Sequence, residues 1–206
     1  MKRGFIRAMT DKQQLGGTLI FLAGFLGLLL IPVMEALNPT YSVRLDTISE
    51  LGALSPTILL FGITLVTAGS LALIGALLVR KTLGSRFTGL LCISCLGQIG
   101  VGVFPSLHPF KYAPYLHISS AMLIVVFGAI VMLFFYKRFN PPFTYVSIVL
   151  GIITLAGGAL MFSGLLGTGG MERVMFYPLI VWEVGLGAAL MDLHPKLSLR
   201  RVKDDF

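Results

Sequence analysis

Leu15-Gly-Gly-Thr-Leu-Ile-Phe-Leu-Ala-Gly-Phe-Leu-Gly-Leu-Leu-Leu-Ile-Pro-Val-Met-Glu-Ala-Leu37 carries one charged side chain, Glu35. It reads as a helix long enough to cross the roughly 30 Å of bilayer hydrocarbon, which takes about 20 residues. Five further apolar runs, 57–79, 87–104, 115–136, 143–166 and 176–193, approach that length and are separated by short polar breaks. With 56% hydrophobic and 12% charged residues, against about 25% charged in a soluble domain, the chain belongs in a bilayer. Little sequence is left over, so residues 1–206 are expected to form one all-α membrane domain, a bundle of six transmembrane helices. The strands of an outer-membrane barrel alternate in hydrophobicity over about ten residues, and these runs do not. The first run is also longer than the roughly 7–15-residue apolar region of a secretory signal, and it has no A-x-A-like exit.

The net charge of +7 is a statement about topology. Lys2, Arg3, Arg7 and Lys12 precede the first run, Arg80, Lys81 and Arg86 follow the second, Lys137 and Arg138 the fourth, and Lys196, Arg200, Arg201 and Lys203 the sixth. Thirteen of the sixteen Lys and Arg thus fall on one side of an even-numbered topology, against Arg44, Lys111 and Arg173 on the other. By the positive-inside rule both termini are expected in the cytoplasm. A charge distributed in this way needs no nucleic-acid partner.

Between the first two runs lies the one long polar segment of the outer side, Tyr41-Ser-Val-Arg-Leu-Asp-Thr-Ile-Ser-Glu-Leu-Gly52. Pro32 predicts a kink or early end to the first helix, and Asn38-Pro39 breaks it. Arg44 to Ala53 reads as a short interfacial helix with Asp46 and Glu50 on one face at i, i+4. Ser55-Pro56 reads as an N-cap followed by proline at the first helical position. Ala68, Ala72 and Ala76, Ala23 and Gly27, and Gly185 and Ala189 recur every four residues, the spacing at which small residues let membrane helices approach. No residue-level repeat relates the two halves.

The polar residues that could carry chemistry gather at the outer end: Glu35, Asp46, Glu50, Glu172 and Glu183 with Arg44, Lys111, Arg173, His108 and His117. Glu183 stands out, because it falls about two turns, roughly 10 Å, inside the sixth run. An ionisable group at that depth signals function or a buried partner, and Arg173 and His117 are the partners expected for it if the fourth and sixth spans are neighbours. The simpler account is a register-fixing ion pair. His108, His117 and Asp46 are ligand types suited to zinc, but no H-E-x-x-H or comparable spacing joins them, so no metal is assigned. Ser42 and Ser49 lack the G-x-S-x-G setting of an activated nucleophile, and Ser49 is equally a helix cap. Cys92-Ile-Ser-Cys95 lies inside a membrane run, where two small buried hydrophobes are a better reading than a redox pair. Gln98 is placed to hydrogen-bond a neighbouring helix, and Tyr112, Tyr115, Tyr177 and Trp182 read as an outer aromatic belt.

Three motifs together carry a resemblance. Tyr41-Ser42 followed by Ile48-Ser49-Glu50-Leu51-Gly52, Phe104-Pro105 with a nearby histidine, and Arg173-Val-Met-Phe-Tyr-Pro178 leading to Trp182 resemble the six-helix family called domain of unknown function 998, over nearly the whole chain. The resemblance implies that six-helix fold, an archaeal or bacterial cell membrane, and a shared outer constellation of Ser49, Glu50, Pro105, His108, Arg173 and Tyr177. It implies no reaction. A distant similarity to lipid-associated eukaryotic membrane proteins is analogy alone.

The reading placed first is a small polytopic protein that binds, moves or modifies a lipid or other amphiphile from the outer leaflet. Its ligand-binding candidates are Ser49, Glu50, His108, His117, Arg173, Tyr177 and Glu183. The alternative is an accessory or structural subunit of a larger membrane complex, with other membrane subunits as partners. A metal-dependent membrane hydrolase is a sharper form of the first. No cofactor is assigned, and whether the chain is an enzyme stays open.

Overall fold

The computed structural model describes residues 2–105 and 111–191. His108 lies outside the described residues, as do Asp192 and the basic residues that follow it. Among the described residues there are seven α-helices and no strand: α1 (Lys2–Ala36), α2 (Ile58–Leu78), α3 (Arg80–Leu83), α4 (Ser85–Val103), α5 (Ala113–Phe134), α6 (Phe143–Ala159) and α7 (Gly167–Met191). Single 3-10 turns form at Ile48–Gly52 and Tyr136–Arg138. Five helices, α1 from Asp11, α2, α4, α5 and α7, are long and apolar enough to cross a membrane, while the apolar α6 has 17 residues. The fold is that of a multi-pass α-helical membrane protein.

The six long helices close a ring: α1 packs on α2, α2 on α4, α4 on α5, α5 on α6, α6 on α7, and α7 returns to α1. Hydrocarbon offers helices no hydrophobic drive to associate, so close approach of small residues has to supply it. Ala23, Ala68, Ala72 and Ala76 are fully or almost fully buried along the seams, as their spacing requires. At Gly187 a Cβ would strike the Phe21 backbone, and at Gly75 it would come to 2.7 Å from the Gly16 carbonyl. One end of the ring is held by inter-helix polar bonds: Gln13 Nε2 donates to the Leu190 carbonyl at 3.2 Å, and Arg138 Nη1 to the Leu83 carbonyl at 2.6 Å. The other end carries the 41–52 segment.

Several boundaries differ from the sequence reading. The sixth run starts at Gly167 instead of 176 and carries Pro178 within the helix, because the polar residues 167–173 are satisfied by the 41–52 segment and need no turn of their own. The fifth run ends at Ala159, well short of 166, and Gly164, between α6 and α7, and Gly167, the first residue of α7, take φ values of +76° and +75°. Ser55-Pro56 does not open α2. Its N-cap is Thr57, whose hydroxyl points away from the helix, donating to the Leu51 carbonyl at 2.8 Å and accepting from Asn38 Nδ2 at 3.0 Å. The helix expected over Arg44–Ala53 shrinks to the 3-10 turn Ile48–Gly52, which leaves Asp46 and Glu50 on no common helical face. Trp182 is not in an outer belt. It is 2% exposed, stacks on Phe143 at 6.3 Å and donates from Nε1 to Ser147 Oγ at 2.9 Å, within an aromatic core that also holds Phe87 and Phe139.

The ring geometry assigns opposite outcomes to two glycines. Replacing Gly187 with Leu forces α7 off α1 and is expected to cost about 1–3 kcal/mol or prevent assembly, as overpacking does. Gly89→Ala meets nothing within 4 Å and is expected to leave thermal melting in detergent micelles unchanged.

Candidate functional site

Arg173 is the hub of the end that carries residues 41–52. Its Nη2 meets Glu35 Oε1 at 2.6 Å and donates to the Tyr41 hydroxyl at 2.6 Å, while Nε donates to the same Glu35 oxygen at 3.2 Å. Its Nη1 donates to the carbonyls of Gly169, Val43 and Asp46 at 2.7, 2.8 and 3.2 Å. The guanidinium also lies over the Tyr41 ring, 5.5 Å from its centroid. Burial pushes the Tyr41 hydroxyl up to about 12 against the pull of Arg173, so the group stays protonated and donates to the Asp46 and Thr47 carbonyls at 3.1 and 2.8 Å. One turn of α7 thereby holds the backbone of the whole loop. Arg44 O accepts from the Gly169 and Gly170 N–H groups at 3.1 and 3.2 Å, and the buried Glu172 carboxylate accepts from the Ile48 and Ser49 N–H groups. Glycine is required at 169, because a Cβ there would run into the Asp46 carbonyl.

The residues nominated from sequence fall into two groups. Those of the first group hold the loop. Arg173 does so directly, Tyr177 faces Arg173 and Glu35, and Glu50 Oε2 accepts the Thr47 N–H at 2.6 Å. The Asp46 carboxylate accepts the Ser42 N–H at 2.6 Å. Ser49 Oγ lies 3.0 Å from Thr47 Oγ1. The expected contacts of Arg173 and His117 with Glu183 do not form. Arg173 is committed to Glu35, and His117 Nδ1 lies 2.8 Å from the Phe104 carbonyl, tying the start of α5 to the end of α4. A carbonyl only accepts, so Nδ1 is the donor there, and in the neutral ring Nε2 is left as an acceptor. Among the described residues no three His, Cys, Asp or Glu gather as metal ligands.

The second group surrounds a cavity of about 110 Å³ lined by residues of α1, α2, α4, α5 and α7 and of the loop, and open on one side. Its wall is mostly apolar, including Phe61, Leu65, Ile124, Phe176, Leu179 and Trp182. Ser49, Ser94, Gln98, His117, Glu172 and Glu183 add the polar groups. Because α7 starts at Gly167, Glu183 is about 24 Å along the helix from that end, far deeper than the sequence reading placed it, and within electrostatic reach of Cys95 midway along α4. No described residue hydrogen-bonds or ion-pairs with its carboxyl. Gln98, one helical turn from Ser94, likewise makes no hydrogen bond to a described residue. Sequence reasoning passed over Glu35 and Tyr41 as the partners of Arg173, and undervalued Gln98, although a carboxamide inside an apolar run is itself a signal.

An all-helical multi-pass membrane protein with a loop-capped internal cavity is the class that this architecture defines. The chain belongs to the family described as "Protein of unknown function (DUF998)", whose family model matches residues 21–189. No curated protein and no solved structure matches it.

Truncating Arg173 separates the roles of the residues that hold the loop. Arg173→Met leaves the half-buried Glu35 carboxylate without its cation, and is expected to cost about 3 kcal/mol, the low end for breaking a buried pair. Trypsin cleavage after the exposed Arg44 should then accelerate at least about tenfold. Glu50→Ala removes one capping acceptor, is expected to cost about 1 kcal/mol in the melting of the folded chain, and should leave Arg44 protected.

Proposed function

We propose that the chain is a polytopic protein of a prokaryotic cell membrane, crossing it six times with both termini cytoplasmic, and that it binds an amphiphile in the cavity beneath the clamped loop. Six crossings include α6. Its 17 residues span about 25 Å, a shortfall that local thinning and the flanking Leu160–Leu166 segment accommodate. Gln13, Leu83, Arg138 and Leu190 lie together at the end rich in Lys and Arg, which supports a cytoplasmic assignment for that end.

The observation that carries the binding reading is the carboxyl of Glu183, without a partner among the described residues, in a largely apolar cavity inside the bundle. Largely apolar pockets with a few convergent polar groups are where membrane and soluble proteins alike hold small ligands, and buried groups without a partner are the ones that await one. The outer cluster has the converse character. Arg173, Glu35, Asp46, Glu50 and Glu172 are bound to one another or to loop backbone, so their part is to hold a cover over the site. Glu183, Gln98 and His117 are the residues that face the ligand, with Ser49 at the loop end of the cavity.

Native mass spectrometry tests this reading. Protein extracted from its own membrane in mild detergent should carry an amphiphile adduct, and Ala121→Phe, which fills the cavity from α5, should lower its occupancy at least about tenfold, as loss of a buried apolar ligand site does. Equal adducts in both proteins would contradict a cavity site. A stoichiometric larger assembly without any adduct would favour the subunit reading.

A further inference from the structure

We infer that the cavity takes a single-chain amphiphile whose polar end donates hydrogen bonds, an alcohol or an amine, and that it rejects phosphate-bearing and other anionic headgroups. The inference rests on the cavity being the ligand site and names the chemistry of its ligand.

The polar lining is rich in acceptors. Glu183 offers carboxyl oxygens that no described residue uses, Gln98 a carboxamide oxygen, and neutral His117 its Nε2. Ser94, by contrast, has already directed its hydroxyl proton to the Ile124 carbonyl at 3.2 Å, which leaves its oxygen to accept. Its donors are few and neutral, the Gln98 NH2 and the Ser49 hydroxyl. Among the described residues no Lys or Arg lines the cavity. The nearest guanidinium by sequence, Arg173, has five N–H donors, and Glu35, Tyr41 and three loop and helix carbonyls engage them all. A phosphate buried there would have no lysine or arginine among the described lining residues to neutralise it, a costly arrangement inside a bilayer. An ammonium or hydroxyl at the same place supplies the missing donor. The cavity volume of about 110 Å³, below the roughly 150 Å³ that holds benzene, seats the polar end and first few carbons of one chain, the rest leaving through the open side of the cavity. Its apolar wall follows α5 and α7 upward from Glu183 through Leu179, Ile124 and Phe176.

Trp182, the only tryptophan of the chain, lines this cavity next to Glu183 in sequence and so reports on its occupant. The full chain in detergent micelles is titrated with decanol, decylamine and decyl phosphate, each brominated within a few bonds of its polar end. Saturable quenching of Trp182 fluorescence is expected from the alcohol and the amine and not from the phosphate. Glu183→Leu should weaken both by at least about tenfold, the effect of losing a buried hydrogen-bond partner. Glu183→Gln, which keeps the shape and one acceptor oxygen, should weaken the amine by a similar factor and the alcohol by less than about threefold.

Equal quenching by all three headgroups, tighter binding of the phosphate, or indifference to both Glu183 substitutions would overturn the donor assignment. If Ala121→Phe abolished that quenching, the cavity would remain the site. If no probe quenched saturably, or if quenching survived Ala121→Phe, the cavity reading would fall together with the inference.

Discussion

The guanidinium of Arg173 is the interaction on which the loop-bearing half of the protein depends. Removing that charge and the Glu35 carboxylate from water is expensive, and their attraction offsets it only when the remaining donors are also satisfied. Here they are: each N–H points at Glu35, the Tyr41 hydroxyl or a carbonyl. Because Val43 and Asp46 supply two of those carbonyls, the ion pair between α1 and α7 also fixes the loop that joins α1 to α2. Lysine, with three donors on a point charge, has no way to reproduce the planar fork that reaches carboxylate, hydroxyl and backbone together.

The clamp explains why so polar a segment can close over an apolar cavity. Glu172, one residue earlier on α7, takes the Ile48 and Ser49 N–H groups, and Thr57 takes the Leu51 and Leu54 carbonyls. Ile48 and Leu51 are thereby free to turn inward, where they pack with Ile31, Met34, Phe61 and Val101. The backbone of the loop is satisfied on its outer side and its side chains are apolar on its inner side. That division is what a cover over a membrane cavity requires.

Much of this was legible in residue order. Long apolar runs mark helices because hydrocarbon demands internal backbone bonding, and every run became one. Ala68, Ala72 and Ala76 marked a seam by spacing alone. The start of α7 was not legible, since Gly167-Thr-Gly-Gly170 has the composition of a turn, and only the Arg44 carbonyl accepting the Gly169 and Gly170 N–H groups makes a helix of it. That error displaced Glu183 toward the surface and gave it Arg173 as a partner. Nor can residue type tell a capping carboxylate from a ligand-binding one: Asp46 and Glu50 had the right chemistry for a site, and their use by the Ser42 and Thr47 N–H groups is decided by loop geometry. Trp182 was misplaced because tryptophan favours the interface only when no buried acceptor is within reach, and Ser147 supplies one.

Arg173 and Glu183 lie ten residues apart on one helix and have opposite settings. One is saturated with partners, while the other projects into an apolar cavity with none among the described residues. A density map of the protein in nanodiscs of its native lipid tests that contrast most directly. Elongated non-protein density is predicted to start within hydrogen-bonding distance of the Glu183 carboxyl and to run along Leu179 and Ile124 under the loop. A cavity closed by side chains, with Glu183 bonded to a neighbouring helix and the clamp around Arg173 intact, would contradict it.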